Sequence, residues 1–407
     1  MVPDLGERRG RTSLACLVAT AALAGTGCGG TAGDTGTNVG GAASGNELTA
    51  LAALGKKIFR DESLSGSGRM SCATCHDPAH AFAQPTSDPV PLGGASLDQA
   101  GLRNAPSLEY ARYTPAFHFA SDGTPTGGFD RDGRAADLAA QAEGPFLTVF
   151  EMANASAADV VAKLSRASYA ADFQAVFGAG AFDDADQAFL EARQALEAYE
   201  LEAPELAPFS SKYDYFLAGR VQLSAAEMRG LALYNDPRKG NCGACHPSTR
   251  SADGTPPLFT DFTYDDLGVP RNAAIPANSD PTYFDLGLCG PLRTDLAVRT
   301  DLCGAFKVPT LRNIALTAPY FHNGRFQTLR DALGFYVRRD TSPEEFYPLG
   351  ADGLVRKFDD LPPEYVRNVN TTEVPYNRHP GDLPALSADE IDDVIAFLQT
   401  LTDGYTT

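Results

Sequence analysis

Two pentapeptides have the residue types and spacing to do chemistry: Cys72-Ala73-Thr74-Cys75-His76 and Cys242-Gly243-Ala244-Cys245-His246. Two thiols separated by two residues can reach the two vinyl groups of one haem and form thioethers, while the adjoining histidine binds the iron from one face. A zinc ribbon would bring its cysteine pairs closer in sequence, and a thioredoxin-like redox pair would sit in a βαβ setting. The two histidines are 170 positions apart and no alternating βα pattern occurs. The spacing therefore predicts two covalently attached haem c groups, with iron bound by His76 and His246.

The elements around the motifs repeat. LTALAALGKKIF places Leu48, Leu51, Leu54 and Ile58 on one helical face just before the first motif. Ser224 and Glu227 form a capping box that opens a helix to about Tyr234, just before the second. Residues 77–135 are rich in Pro, Gly and Asp and read as long loops around a haem edge. Helices are expected at 135–144, 156–177, 184–202, 328–339 and 387–401, the last capped by Ser387 and Glu390. This loose twofold repeat predicts a mostly α fold of two cytochrome c-like domains, 46–205 and 206–407, parted in the Pro-broken stretch Glu200 to Pro208.

The 407 residues carry 52 acidic and 33 basic side chains, a formal charge of −19 that disfavours a nucleic-acid partner. Residues 1–28 read as an export signal: Arg8, Arg9 and Arg11, an apolar run from Leu14 to Ala24, then small residues up to Cys28. Cys28 either carries a lipid anchor or adjoins a plain cleavage site; both readings mean export, to the periplasm. Residues 29–45 are Gly, Thr and Ala with almost no large apolar side chain and form a disordered linker. Apart from Cys16 and Cys28 in the signal and the four motif cysteines, only Cys289 and Cys303 remain. In an oxidising compartment they pair in a disulfide, contributing roughly 3 kcal/mol by loop closure; the alternative is two buried thiols.

The residues around the motifs resemble the bacterial dihaem cytochrome c peroxidase superfamily, which includes MauG-like enzymes. The likeness runs from about Leu48 to Thr402. It rests on Arg103-Asn-Ala-Pro106, Asp132-Gly-Arg134, Gln141, Gly144-Pro145 and Glu151-Met152, then Phe306-Lys-Val-Pro-Thr-Leu-Arg-Asn313 and Pro319-Tyr-Phe-His-Asn-Gly324. The resemblance implies an N-terminal haem with an open face for hydrogen peroxide, a capped C-terminal haem, and a calcium ion between the domains. Asn104, Thr317 and Pro319 match its calcium positions. Gln141 and Glu151 match the peroxidatic pocket, where Glu151 moves a proton between the peroxide oxygens and Gln141 orients them. Pro145 keeps the open face free of a competing ligand.

Three departures refine this expectation. Many relatives carry a blocking histidine in the loop after the first motif, where Ser96 or its neighbours stand here; His80 is too near His76 to reach the opposite face. Fourteen residues past His322 stands Tyr336 rather than a methionine, matching the MauG-like tyrosine ligand of the second haem, a hard anion that stabilises oxidised iron. The chain contains no tryptophan, and Arg131 occupies the position of the one used between the haems, leaving Tyr113, Phe117, Phe119 or Phe129 to carry charge. His118 and His379 are expected at the surface and His322 in a structural role.

The expected function is thus a periplasmic peroxidase-type oxidoreductase. Its electrons come from a small cytochrome c or cupredoxin, or, in MauG-like chemistry, from side chains of a protein substrate. The competing reading is a dihaem electron-transfer cytochrome without catalysis. A homodimer is an open expectation.

Overall fold

The computed structural model describes residues 47–406; the expected export signal at 1–28 and linker at 29–45 lie outside the described residues. The helices are α1 (Ala50–Phe59), α2 (Cys72–Cys75), α3 (Leu138–Gln141), α4 (Glu143–Leu147), α5 (Ala157–Leu164), α6 (Ala170–Phe177), α7 (Ala185–Glu202), α8 (Lys212–Leu217), α9 (Ala225–Asn235), α10 (Leu329–Arg338) and α11 (Ala388–Gln399). Sheet is confined to three antiparallel ribbons of two strands. These are β1 (Leu92–Gly93) with β2 (Gln99–Ala100), β3 (His118–Phe119) with β4 (Pro125–Thr126), and β5 (Tyr264–Asp265) with β6 (Phe306–Lys307). In the last ribbon Tyr264 lies opposite Lys307.

The same helix crossing occurs twice. α1 opens at Thr49, whose side chain accepts a hydrogen bond from Ala52 N, and it buries Leu54, Ile58 and Phe59. It packs on α7 at Gly55, where a Cβ would stand 1.8 Å from the Ala195 carbonyl oxygen. α9, opened by the Ser224/Glu227 capping box, packs on α11 at Gly230, where a Cβ would stand 1.9 Å from the Asp393 carbonyl oxygen. Only glycine permits backbones this close, and in each half the crossing leads straight into a CxxCH motif.

Two expected helices are broken for visible reasons. The stretch 156–177 divides into α5 and α6 because Ser165 turns back on Ala162 O (3.2 Å) and the chain bends to bring the Tyr169 hydroxyl onto Asp61 (2.6 Å). The stretch 135–144 starts later, with Asp137 capping Ala140 N at 2.7 Å, and continues as α4 to Leu147. α8 was not expected; its own capping box, Ser211 with Asp214, had the signature.

The described residues fall in one compact unit, yet its apolar cores separate by sequence. One draws on residues from Leu54 to Leu206, and two others on Tyr213 to Leu401 and Val269 to Val369. The cores therefore change over in the Leu206 to Tyr213 stretch while the surfaces of the two halves stay in contact. Beside their seam the buried Arg312 donates to both oxygens of Asp214 in its own half at 2.9 Å and lies across from the Tyr110 ring at 4.8 Å. The Tyr110 hydroxyl donates to Asp403 at 2.7 Å, and Asn313 bridges Glu109 and Asp403. A disulfide joins Cys289 to Cys303, with Cα atoms 4.9 Å apart. Among the described residues no helix is long and apolar enough to cross a membrane.

Candidate haem and peroxidatic site

A cavity of about 730 Å³ is lined by both motifs: Cys72, Cys75 and His76 from one half, Cys242, Cys245 and His246 from the other. Its walls are largely apolar, with Phe59, Met70, Phe146 and Leu196 on the first side and Leu333, Val337, Val394 and Leu398 on the second. The two histidines are oriented alike. His76 Nδ1 stands 3.0 Å from Pro106 O and 3.2 Å from Phe82 O, and His246 Nδ1 stands 2.8 Å from Phe259 O. A proton on Nδ1 donated to a carbonyl leaves Nε2 as the free donor atom for iron. Burial pushes both imidazoles below their ordinary pKa, keeping them neutral as ligands must be.

The four motif cysteines are unpaired, and burial pushes each thiol up to about 12. A reactive redox pair needs the opposite shift. Among the described residues no group of three or more His, Cys, Asp or Glu side chains converges as a bare-metal site. Cavity, thiols and histidine orientation together fit two haems and fit neither rival use of a CxxC pair.

Gln141, Pro145 and Glu151 line the same cavity as His76. Pro145 lies in α4, and its carbonyl accepts from Met152 N at 3.0 Å, fastening the Glu151 turn beneath it. Burial pushes the Glu151 carboxyl up to about 7; the neighbouring Asp130 charge adds to this, while Thr148 and Arg134 oppose it. Asp130 was not anticipated. It accepts from Gln141 Nε2 at 3.3 Å, pairs with Arg134 at 3.3 Å and is itself raised by burial. Its place directly before Arg131-Asp132-Gly133-Arg134 was the available signal.

Tyr336 on α10 lines the second side of the cavity, its ring 5.6 Å from Phe321 and 6.1 Å from Tyr376. Burial drives its phenol well above the ordinary range, so only a cation facing it could hold it as phenolate. The remaining histidines are elsewhere. His80 pairs with Asp77 at 2.8 Å, His118 and His379 are exposed, and Ser96 is exposed away from the cavity. His322 is buried and stacked on Phe306, with centroids 3.7 Å apart and planes 7° from parallel. Of the four aromatics expected to link the haems, only Phe129 reaches the cavity; Tyr113, Phe117 and Phe119 pack outside it, and Phe306 and His322 line it instead.

The calcium expectation meets an obstacle. Asn104 is buried, but its two oxygens already accept from Arg131: the carbonyl from Nε at 2.9 Å and Oδ1 from Nη2 at 2.7 Å. Thr317 and Pro319 line the cavity, and the Thr317 hydroxyl turns to Ile314 O at 3.5 Å. Asn104 thus does not fit a calcium ion, because both of its oxygens already face a guanidinium.

The description of di-haem cytochrome c peroxidase matches residues 49–222. The chain is 36% identical over 367 residues to the methylamine utilization protein MauG of Paracoccus denitrificans, covering 87% of this chain and 89% of that one. It is 31% identical over 282 residues to cytochrome c551 peroxidase of Pseudomonas aeruginosa, 69% of each chain. The crystal structure of the diheme peroxidase BthA from Burkholderia thailandensis E264 matches with a TM-score of 0.81 and 44% identity, over 89% of this chain and 88% of that one. The chain belongs to the di-haem cytochrome c peroxidase family, in its MauG-like branch.

Proposed function

We propose that this protein is an exported dihaem peroxidase, in which hydrogen peroxide meets the His76 side of the cavity and electrons enter through the His246 side. The observation that carries this reading is the meeting of Glu151, Gln141 and Pro145 in the cavity wall on the His76 side, with Glu151 poised at about 7. The haems, when held by the two motifs, supply the electrons that cleave the O–O bond. The protein supplies proton handling and access. Ionised Glu151 takes a proton from one peroxide oxygen and returns it to the other as that oxygen leaves, a task that favours a pKa near the working pH. Gln141, itself fixed by Asp130, orients the peroxide. Pro145 offers no side-chain donor and Glu143 of the same helix is turned to Arg193 at 2.7 Å, so α4 would leave the peroxide side of a bound haem without a competing ligand. Tyr336 closes the second side, which suits transfer of charge rather than substrate binding.

The electron source is a small cytochrome or cupredoxin, or a protein substrate. The second is favoured by Tyr336 in the cavity and by the likeness to MauG. Electron paramagnetic resonance of the oxidised holoprotein tests the division: one high-spin and one low-spin haem are expected, and two low-spin signals would mean a cytochrome without catalysis. Tyr336→Phe should shift the absorption and potential of one haem only; an unchanged spectrum removes Tyr336 from the ligand set.

A further inference from the structure

A compact charge cluster lies beside Asn104. Arg103 holds Asp285 through Nε and Nη2 at 2.6 and 2.7 Å and Asp132 through Nη1 at 2.7 Å, all three side chains being at most 9% exposed. Arg131 extends the cluster by donating to both Asn104 oxygens. Its own carbonyl accepts from Lys307 N on β6 at 2.9 Å, and Asn104 N donates to His322 O at 2.8 Å. Arg131 and Asn104 therefore tie together four pieces of chain: the loop behind the first motif, the Arg131 turn, β6, and the turn that carries His322.

The charges argue against a further cation here. Three guanidinium groups, those of Arg103, Arg131 and Arg134, already gather around two carboxylates, Asp132 and Asp285. A calcium ion takes about six to eight oxygens and draws most of its affinity from carboxylates, whereas Asn104, Thr317 and Pro319 match the calcium positions through neutral oxygens. An ion on Asn104 Oδ1 would share that atom with a guanidinium nitrogen, setting like charges within about 5 Å where burial weakens screening. Arginine is suited to the position because its planar fork satisfies the carbonyl and the side-chain oxygen of one residue together and stays charged at neutral pH, even though burial and the Arg103 charge push its pKa down to about 10.

We infer that the Arg131 guanidinium stands in for a resident calcium ion at Asn104, fixing the two first-half loops whose backbone bonds to Lys307 and His322 join the halves. It holds whether or not peroxide is the substrate. This arrangement cannot be stripped by a chelator, and it places a single charge near the space between the haems.

The test uses the holoprotein. Calcium content by plasma mass spectrometry, the unfolding midpoint and the haem spectrum are measured before and after EGTA. Calcium well below one ion per chain is expected, with midpoint and spectrum unchanged by EGTA or by added calcium chloride. One calcium per chain that survives gel filtration, or a midpoint that falls on chelation, overturns the inference. Arg131→Gln keeps a donor and removes the charge. Its midpoint should fall and recover when calcium chloride is added, a response absent from the parent protein; a variant as stable as the parent, or one that calcium leaves unimproved, overturns it as well. Should that variant not retain haem, the calcium content of the parent protein decides alone.

Discussion

The two halves hold their motifs by the same means and line them with different chemistry. In each, a glycine lets two helices touch backbones, at Gly55 on Ala195 and at Gly230 on Asp393. In each, the motif histidine hands its Nδ1 proton to a carbonyl. The walls then diverge. The His76 side brings a half-buried glutamate, a glutamine and a paired aspartate to the cavity, whereas the His246 side brings Tyr336 among Phe321, Phe335 and Tyr376. Presentation of the motif is thus common to the two frames, and what differs is the side chains that line the cavity.

The strongest way to break this contrast is to remove the carboxylate assigned to proton transfer. Glu151→Gln should lower kcat for peroxide by about 10²- to 10⁴-fold with both haems retained, measured by stopped-flow turnover and haem content. The parent enzyme should lose activity as pH falls through about 7, because burial has raised the Glu151 carboxyl and its protonated form cannot accept a proton. That acid limb should vanish in the variant; its persistence would assign the proton to another group.

A second cut falls at the seam. Arg312→Ala leaves Asp214 as a buried charge without its guanidinium, a change that costs about 3–5 kcal/mol. Denaturant unfolding followed at both haem bands should show the loss for both halves, and a loss confined to one band would mean the halves unfold independently.

Gly55→Ala and Gly230→Ala each force a methyl group into a facing carbonyl, and each should destabilise by about 1–3 kcal/mol. Equal losses in the unfolding midpoint support the equivalence of the two frames, and a tolerated substitution on one side denies it. The smallest effect is expected at a helix end. Ser387→Ala removes the cap of α11, worth about 1 kcal/mol, and should show in the midpoint without changing turnover.

Much of the frame was legible because it is written locally. The motifs, the capping boxes at Ser224 and Ser387 and the apolar stripe of α1 each lie within a dozen residues of chain. The groups that were missed depend on contacts remote in sequence. Phe306 and His322 stack across 16 positions, and Asn104 meets Arg131 across 27 in loops without periodicity. The obstacle to calcium at Asn104 has a related origin. The expectation followed matching positions one at a time, whereas replacing a tryptophan by Arg131 changes what the neighbouring Asn104 must satisfy. Among the aromatics expected between the haems, only Phe129 reached the cavity, because the ribbon β3–β4 carries Phe119 to the surface and Phe117 packs against Tyr264.

The buried thiols carry a consequence for biogenesis. With their pKa raised to about 12 in the folded chain, the cavity-lining Cys72, Cys75, Cys242 and Cys245 offer little thiolate with which to attack a vinyl group. If the motifs hold their haems through thioethers, those bonds would form more readily on the unfolded chain. Haem offered to the already folded apoprotein should then stay extractable by acid acetone, whereas haem present while the chain folds should not.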